Sequence, residues 1–130
     1  NSEILIVTAY TKPLKIVFDY DGLMSEDYDP EINRIALKSA TNIAKDATEI
    51  LHKGNPKLVV TSVVIDGSPA QGILRETEAF GADLIVVGLH CSGALSRFLI
   101  GSVSHSVALN ADCSVEIVRM RGLEGEIKKS

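Results

Sequence analysis

The sequence lacks an excess of basic residues. Its 13 lysines and arginines are outnumbered by 17 aspartates and glutamates, which gives a formal net charge of −4 at pH 7. No segment gathers the basic residues into a cluster. Because non-specific nucleic-acid binding depends on neutralising phosphates with a basic surface, the composition predicts a protein that has no nucleic-acid partner.

The sequence also lacks long apolar runs. A membrane-spanning helix needs about 20 consecutive apolar residues, and every apolar run here is much shorter. Residues 2–10 carry neither the basic flank nor the small-residue cleavage site of a signal peptide. We therefore expect a cytoplasmic protein that does not engage a membrane.

Cysteine is scarce, and Cys91 and Cys113 are the two that the chain contains. They lie in different predicted elements, and a cytoplasmic compartment keeps such thiols reduced. His90 stands next to Cys91, but no third group at suitable spacing completes a metal site or activates a nucleophile there. We therefore predict neither a metal nor catalytic residues.

The length and composition of the chain are those of one globular domain. Its 130 residues are enough to enclose one core, with 45% hydrophobic and 23% charged residues. We predict a single domain over residues 1–121, followed by a polar tail at residues 122–130.

Apolar patterns with strand and helix periods alternate along the chain. Four strands are predicted, at Glu3–Tyr10, Leu58–Ile65, Asp83–Val87 and Ser114–Met120. Helices are predicted from Asp29-Pro30, from Ser68-Pro69 and over Gly101–Asn110, and Thr11–Tyr28 is predicted to be loop. This alternation predicts βαβ units, a mainly parallel sheet and right-handed crossovers.

Each predicted helix has apolar residues that we expect to face the core. In the first helix they are Ile32, Ile35, Ala36, Ile43, Ala47, Ile50 and Leu51. In the other two they are Ile73, Leu74, Ala79 and Phe80, and Val103, Val107 and Ala108.

A glycine-rich segment from Gly88 to Ser104 follows the third predicted strand and leads into the last helix. A helix N-terminus has unpaired N–H groups and a partial positive charge, which together favour an anion. Glycines allow a ligand to approach the backbone closely. The order of strand, glycine-rich loop and helix therefore predicts a phosphate site, with a tight surface turn before a capped helix as the alternative.

Four segments of the chain resemble the universal stress protein family. D-G-S-P-A-Q-G-I-L begins at Asp66, G-A-D-L-I-V-V-G at Gly81, G-S-V-S at Gly101 and A-D-C-S-V-E-I-V-R at Ala111. The likeness covers about Glu3 to Arg119, and the four segments together are far more specific than any one. The resemblance implies a Rossmann-like α/β fold: an open, mainly parallel five-stranded sheet of order 3-2-1-4-5 with helices on both faces.

The nucleotide-binding branch of that family holds the phosphates and ribose with the pattern G-x2-G-x9-G-[S/T]. On this chain the first glycine falls on Gly88, the third on Gly101 and the hydroxyl on Ser102. The resemblance therefore implies ATP as the ligand, or AMP or ADP, with Mg²⁺. The contact residues that it implies are Ala9, Val87, Gly88, His90, Cys91, Gly93, Arg97, Gly101, Ser102, Val103 and Ser104.

The chain departs from the family pattern inside this loop. Cys91 stands where the second glycine belongs, and Gly93 offers a flexible point two residues later, in another register. The additional Cβ narrows or tilts the phosphate cradle. Arg97 either pairs with the charge of the ligand or lies in solvent.

The chain departs from the family again at its first strand and helix, which normally precede the element at Glu3–Tyr10 and are absent before Asn1. That strand is central in the 3-2-1-4-5 order, so its neighbours would keep unpaired backbone groups. We expect either that the chain begins downstream of its natural start or that another chain supplies the strand. A competing interpretation makes Leu14–Gly22 the first strand, with Asp19 or Asp21 as the adenosine contact.

The strand at Ser114–Met120 lies at the edge of the sheet in this order, and an exposed apolar edge needs covering. Pairing with the same strand of a second copy predicts a homodimer. The resemblance implies an ATP-binding stress-response module that acts as a regulatory or signalling dimer and is not an enzyme, with slow ATP hydrolysis at most. The alternative is a universal stress protein with a degenerate phosphate loop that acts only through protein partners. A pyrophosphatase-type ligase is disfavoured because its S-G-G-x-D-S loop is missing.

Overall fold

A computed structural model of the chain describes residues 2–10, 14–18, 22, 24–28, 30–89 and 101–119. These residues form strands β1 (Glu3–Tyr10), β2 (Leu14–Phe18), β3 (Met24–Tyr28), β4 (Val59–Asp66), β5 (Leu84–Leu89) and β6 (Ser114–Arg119). The helices are α1 (Pro30–Gly54), α2 (Pro69–Phe80) and α3 (Ser102–Asn110). The chain divides into two compact units, residues 1–72 and residues 73–130, and α2 crosses the boundary between them.

The first unit is built on a parallel pair of strands with a helix against it. β1 and β4 pair in parallel, with Glu3 opposite Val59 and Tyr10 opposite Asp66. The helix α1 packs on both strands and buries Ala40 and Ala44. The predicted α/β class with parallel strands is therefore confirmed in this unit.

The sequence accounts for the ends of α1. Pro30 is its first residue, where the missing N–H costs no helical hydrogen bond. Glu31 lies in the first turn, and His52 and Lys53 lie in the last, each with the charge or polarity that the helix dipole favours. After the last turn, the Asn55 N–H donates to the Leu51 carbonyl at 2.9 Å, and the Leu58 N–H donates to the Asn55 carbonyl at 3.2 Å in the turn that leads to β4.

The prediction of which α1 residues face the core is wrong for the four isoleucines, which are exposed. Ile32, Ile35, Ile43 and Ile50 are 45%, 59%, 58% and 69% exposed. Ala36, Ala47 and Leu51 are half-buried, and the fully covered residues of the helix are Ala40 and Ala44. The distance between a helix and the strands that it packs on depends on the side chains at the contact. Alanines at the contact let α1 lie close to the strands, and the larger isoleucines are left outside.

The segment predicted as loop, Thr11–Tyr28, contains a β-hairpin. β2 and β3 pair antiparallel, with Leu14 opposite Tyr28 and Phe18 opposite Met24. Gly22 lies between them with φ +74°, a left-handed conformation that glycine adopts at little cost and that hairpin turns need. The competing interpretation of Leu14–Gly22 as the first parallel strand is wrong for the described part, since β2 pairs antiparallel with β3. Asp19 and Asp21 lie outside the described residues.

The second unit repeats the pattern of a parallel strand pair under a helix. β5 and β6 run in register from Leu84 opposite Ser114 to Leu89 opposite Arg119. The helix α3 packs on both strands, and Val107 of that helix has no exposed surface. The strand predicted to end at Val87 continues to Leu89, so that Gly88 lies within it.

The helix α2 is confirmed near its predicted start and ends at a glycine. Gly81 has φ +70°, and its N–H donates to the Thr77 carbonyl at 3.0 Å, which is the left-handed helix ending that glycine favours. Two core expectations fail in the helices, because Ala79 in α2 and Ala108 in α3 are exposed. Ile73, Leu74, Phe80 and Val103 are half-buried.

Within the described residues, no helix combines the length and the apolar character that a membrane crossing requires.

Candidate functional site

The glycine-rich segment begins at the carboxyl end of β5. Val87 is half-buried, and Gly88 is exposed and pairs in register with Val118 of β6. A Cβ built on Gly88 would have no described protein atom within 4 Å, and Gly88 is not among the glycines with a positive φ. Neither packing against the described residues nor the backbone conformation therefore requires glycine at this position.

The segment ends at the N-terminus of α3. Gly101 immediately precedes the helix with φ −57° and ψ 149°, and no side chain caps the helix there. The first hydrogen bond of the helix runs from the His105 N–H to the Gly101 carbonyl at 2.9 Å. The N–H groups of the three preceding residues, Ser102 to Ser104, therefore have no partner in the helix and carry its positive dipole end.

The two hydroxyls beside Gly101 differ in accessibility. Ser102 is exposed, whereas Ser104 is 2% exposed. Ser104 and Val107 are the buried residues of α3, and their spacing of three places both on one face of the helix. Of the two hydroxyls, only that of Ser102 is open to a ligand from solvent.

The remaining predicted contacts lie in other parts of the chain. Ala9 lies in β1 of the first unit, half-buried and in register with Ile65 of β4. His90, Cys91, Gly93 and Arg97 lie outside the described residues and stay predictions.

A turn at Gly67 lies at the carboxyl ends of the strands of the first unit, and the sequence alone assigned no role to this glycine. The Gly67 N–H donates to the Tyr10 carbonyl at 3.2 Å and so joins the ends of β1 and β4. Gly67 has φ +107°, which side-chain-bearing residues rarely adopt. The signal that could have found it is the D-G-S turn sequence after the strand.

The described part of the chain contains no group of side chains that could form a metal centre. Among the described residues, no three His, Cys, Asp or Glu side chains lie close enough to hold a metal ion. What the described geometry offers is an uncapped helix N-terminus preceded by glycine and flanked by an exposed hydroxyl.

Comparison with known proteins decides the family. The family model of the universal stress protein family matches residues 13–119 of this chain. The chain belongs to the universal stress protein family. The resemblance found in the four sequence segments is thereby confirmed.

Curated universal stress proteins are similar to this chain over most of its length. It is 35% identical over 89 residues to universal stress protein YxiE of Bacillus subtilis (strain 168), covering 68% of this chain and 56% of that protein. It is 31% identical over 119 residues to a universal stress protein of Thermus aquaticus encoded in the QAH/OAS sulfhydrylase 3′ region, covering 92% of this chain and 79% of that protein. The chain thus spans little more than half of YxiE.

A solved structure shares the fold. The hypothetical protein MJ0577, a structural-genomics test case in which biochemical function was assigned from structure, matches with a TM-score of 0.54 and 26% sequence identity. The match covers 69% of this chain and 64% of that protein. It supports the α/β architecture of parallel strands and helices.

Proposed function

We propose that this universal stress protein binds ATP, or AMP or ADP, with Mg²⁺, and acts in the cytoplasm as a regulatory or signalling dimer in a stress response. The observation that carries the proposal is the uncapped start of α3 directly after Gly101. At this position the family's nucleotide-binding branch has the glycine and hydroxyl that end its phosphate pattern, and here they are Gly101 and Ser102.

The electrostatics of this helix end favour a phosphate. Three backbone N–H groups, those of residues 102–104, lack helical acceptors, and an anion that accepts from them also gains the dipole interaction. The exposed Ser102 hydroxyl can donate one more hydrogen bond to a phosphate oxygen. Because the net charge of the chain is −4, Mg²⁺ on the nucleotide would lower the repulsion between the two.

Gly88 supports the same proposal from the strand side. Nothing in the described part of the protein occupies the space of its missing Cβ. Neither its φ nor packing against the described residues explains this glycine, whereas close approach of a ligand to the backbone would.

The proposed module binds nucleotide without fast turnover. The sequence places no acid–base pair and no activated nucleophile at suitable spacing in the loop. We therefore expect ATP to serve as a signal of energy or stress status to protein partners, and to be hydrolysed slowly at most.

We also propose that the complete sheet has the order 3-2-1-4-5. The parallel pairs β4–β1 and β5–β6 correspond to the pairs 3-2 and 4-5 of that order. None of the strands in the described residues occupies the central place of that order. The strands β2 and β3 pair with each other instead.

Titration with ATP and Mg²⁺, followed by calorimetry, tests the nucleotide proposal. Gly101→Val should weaken binding by at least about ten-fold, or about 1.4 kcal/mol, because the side chain projects beside the free N–H groups. The φ of −57° and ψ of 149° at Gly101 are in a region that valine also adopts, so the fold should be retained by circular dichroism. Ser102→Ala should weaken binding less, and Ser62→Ala, at an exposed position in β4, is its matched control.

The result that contradicts the proposal is equally definite. If the unaltered protein binds no nucleotide at millimolar ATP, the nucleotide proposal fails. Unchanged affinity in Gly101→Val would show that α3 does not hold the phosphates, and loss of folding would make Gly101 structural.

Cys91 favours a second candidate function, a universal stress protein that acts only through protein partners. It occupies the place of the second motif glycine, where a Cβ interferes with the approach of phosphate. Cys91→Gly separates the two functions: a large gain of ATP affinity from an undetectable level would assign the loss of binding to this substitution. Tight binding by the unaltered chain would exclude the second candidate.

A further inference from the structure

Asn33 is a polar residue on the face of α1 that packs against the strands. Its side-chain oxygen, Oδ1, is buried, and no hydrogen-bond partner for it lies among the described residues. At 3.6 residues per turn, Ala40 and Ala44 lie within about 20° of Asn33 around the helix axis. These alanines are 4% and 1% exposed, and α1 packs on β1 and β4. Asn33 therefore continues the strand-facing line of α1 toward the start of the helix.

The start of α1 lies at the carboxyl ends of β1 and β4. The helix ends at Gly54, and a turn leads from there to the first residue of β4, so the helix runs antiparallel to the two parallel strands. Asn33 is about 32 Å along the helix from Gly54, at about 1.5 Å per residue. The eight residues of β4 span about 26 Å. Asn33 therefore reaches the end of the strands at which Ala9, an expected ligand contact, also lies.

The unpaired oxygen restricts the chemistry of any partner. A buried acceptor without a hydrogen bond is destabilising, and native proteins rarely leave one unpaired. An amide oxygen accepts and cannot donate, so its partner carries an N–H or O–H group and is not an ionised phosphate oxygen. In ATP, adenine offers such a group in its 6-amino substituent, with the acceptor N7 beside it. An asparagine side chain matches that pair, because Oδ1 accepts from the amino group while Nδ2 donates to N7.

We propose that Asn33 is a specificity-determining residue that reads the adenine base of a bound nucleotide, through Oδ1 with the 6-amino group and through Nδ2 with N7. The inference rests on the proposed binding of ATP and adds the selection of adenine to it. GTP carries the acceptor O6 where ATP carries the amino group, so it would place two acceptors against each other and leave both unpaired.

Titration calorimetry of the unaltered protein, with Mg²⁺ and a series of triphosphates, tests the base contact without any substitution. Purine riboside triphosphate lacks the 6-amino group and should bind at least about ten-fold more weakly than ATP. GTP should bind more weakly still, because it opposes an acceptor to the buried oxygen.

Asn33→Leu assigns the contact to this side chain. It removes both hydrogen-bonding atoms with little change of size, and should lower the affinity for ATP to within about three-fold of that for purine riboside triphosphate. The affinity for purine riboside triphosphate itself should change little. Asn42→Leu is the matched control, since Asn42 is exposed in the same helix and lies about 180° around the axis from Asn33.

A further nucleotide separates the base from the ribose, whose hydroxyls also donate. 2′,3′-Dideoxy-ATP lacks both hydroxyls and keeps the base. The ratio of the affinities for ATP and 2′,3′-dideoxy-ATP should be the same in Asn33→Leu as in the unaltered protein. A ratio that falls toward one in the variant would assign Oδ1 to the ribose and overturn the base contact.

The unliganded protein gives a readout that needs no nucleotide. Because Asn33→Leu removes an unpaired buried oxygen, it should raise the thermal midpoint of the unliganded protein. Saturating ATP should then stabilise the unaltered protein more than the variant. A lower midpoint for unliganded Asn33→Leu would show that the oxygen is already paired, with the protein or with a water, and would overturn the inference.

The titrations also separate this inference from the function on which it rests. If ATP and purine riboside triphosphate bind equally tightly, Asn33 does not read the base, and the nucleotide proposal is unaffected. An equal loss of affinity for both ligands in Asn33→Leu would likewise overturn the base contact. If no nucleotide binds at millimolar concentration, the proposed function fails and the base contact fails with it.

Discussion

Gly72 shows how one residue without a side chain fixes the packing of two elements. It is the buried residue of α2, and a Cβ built on it would overlap the Cδ1 atom of Ile65 in β4. Ile65 is itself 7% exposed, so it has little room to move. The contact between α2 and β4 in the first unit therefore depends on glycine.

Gly72→Ala should lower the free energy of unfolding by about 1–3 kcal/mol, the usual cost of overpacking a core. Urea denaturation measures this as a lower midpoint. Gly54→Ala is the matched control, because its Cβ would meet nothing within 4 Å, and it should change stability little.

A second substitution assigns the cause. Ile65→Val removes Cδ1 and alone should cost about 0.5–1.5 kcal/mol. Combined with Gly72→Ala, it should cost less than the sum of the two single changes, since the overlapping atom is gone. Strict additivity would mean that the Ile65 contact is not the reason for glycine at this position.

Single residues also show what could and could not be predicted from the sequence at the candidate site. The motif located Gly101 and Ser102 correctly at the start of a helix, because helix starts leave local signals. It treated Ser102 and Ser104 alike. Their different burial depends on which side of α3 packs on β5 and β6, and that is decided by contacts between elements.

At the scale of elements, α1 is the clearest case of a helix whose extent is predictable and whose packing is not. Pro30 and the Gly54-Asn55-Pro56 segment set its ends by local backbone preferences. Its buried face could not be found from hydrophobicity, because the strands select the small Ala40 and Ala44 over larger isoleucines.

This packing predicts opposite outcomes for neighbouring residues. Ala44→Leu should lower the free energy of unfolding by about 1–3 kcal/mol, because three additional carbons cannot fit between α1 and the strands. Ile43→Ala, at a position 58% exposed, should cost less than about 1 kcal/mol in the dilute chain. Chemical denaturation at low concentration compares the two. A larger loss for Ile43→Ala than for Ala44→Leu would contradict the observed orientation of α1.

The β2–β3 hairpin is an element that the sequence alone did not predict. Its turn contains Gly22, which the sequence analysis treated as a loop breaker because proline and glycine commonly end regular structure. In the structure, the positive φ of Gly22 accompanies pairing of the two flanking strands. Whether a glycine ends a strand or reverses it depends on the pairing of residues on its two sides.

At the scale of the whole molecule, the edge of strand β6 is the place where we expect two copies of the chain to pair. β6 pairs on one side with β5 in the second unit, and Val118 of β6 is 41% exposed. An unprotected strand edge is a template for a second strand. This supports the proposed homodimer through Ser114–Met120, of which Met120 lies outside the described residues.

Val118→Lys should weaken that dimer by at least about ten-fold, since it places like charges near each other at a paired edge. Sedimentation velocity measures the effect as a shift from dimer to monomer. Val59→Lys is the control, because Val59 is 59% exposed on β4. A dimer that survives Val118→Lys would show that β6 is not the interface.

The sequence by itself determined the family, the α/β class and the order of most elements. These follow from local signals: strand and helix periods, proline at a helix start, glycine after a helix end, and a spaced motif. The tertiary structure alone decided that alanines rather than isoleucines pack on β1 and β4, that the segment before α1 forms a hairpin, and that Ser104 is buried while Ser102 is open. Each of these depends on how closely elements far apart in the chain approach, and no local pattern encodes that distance.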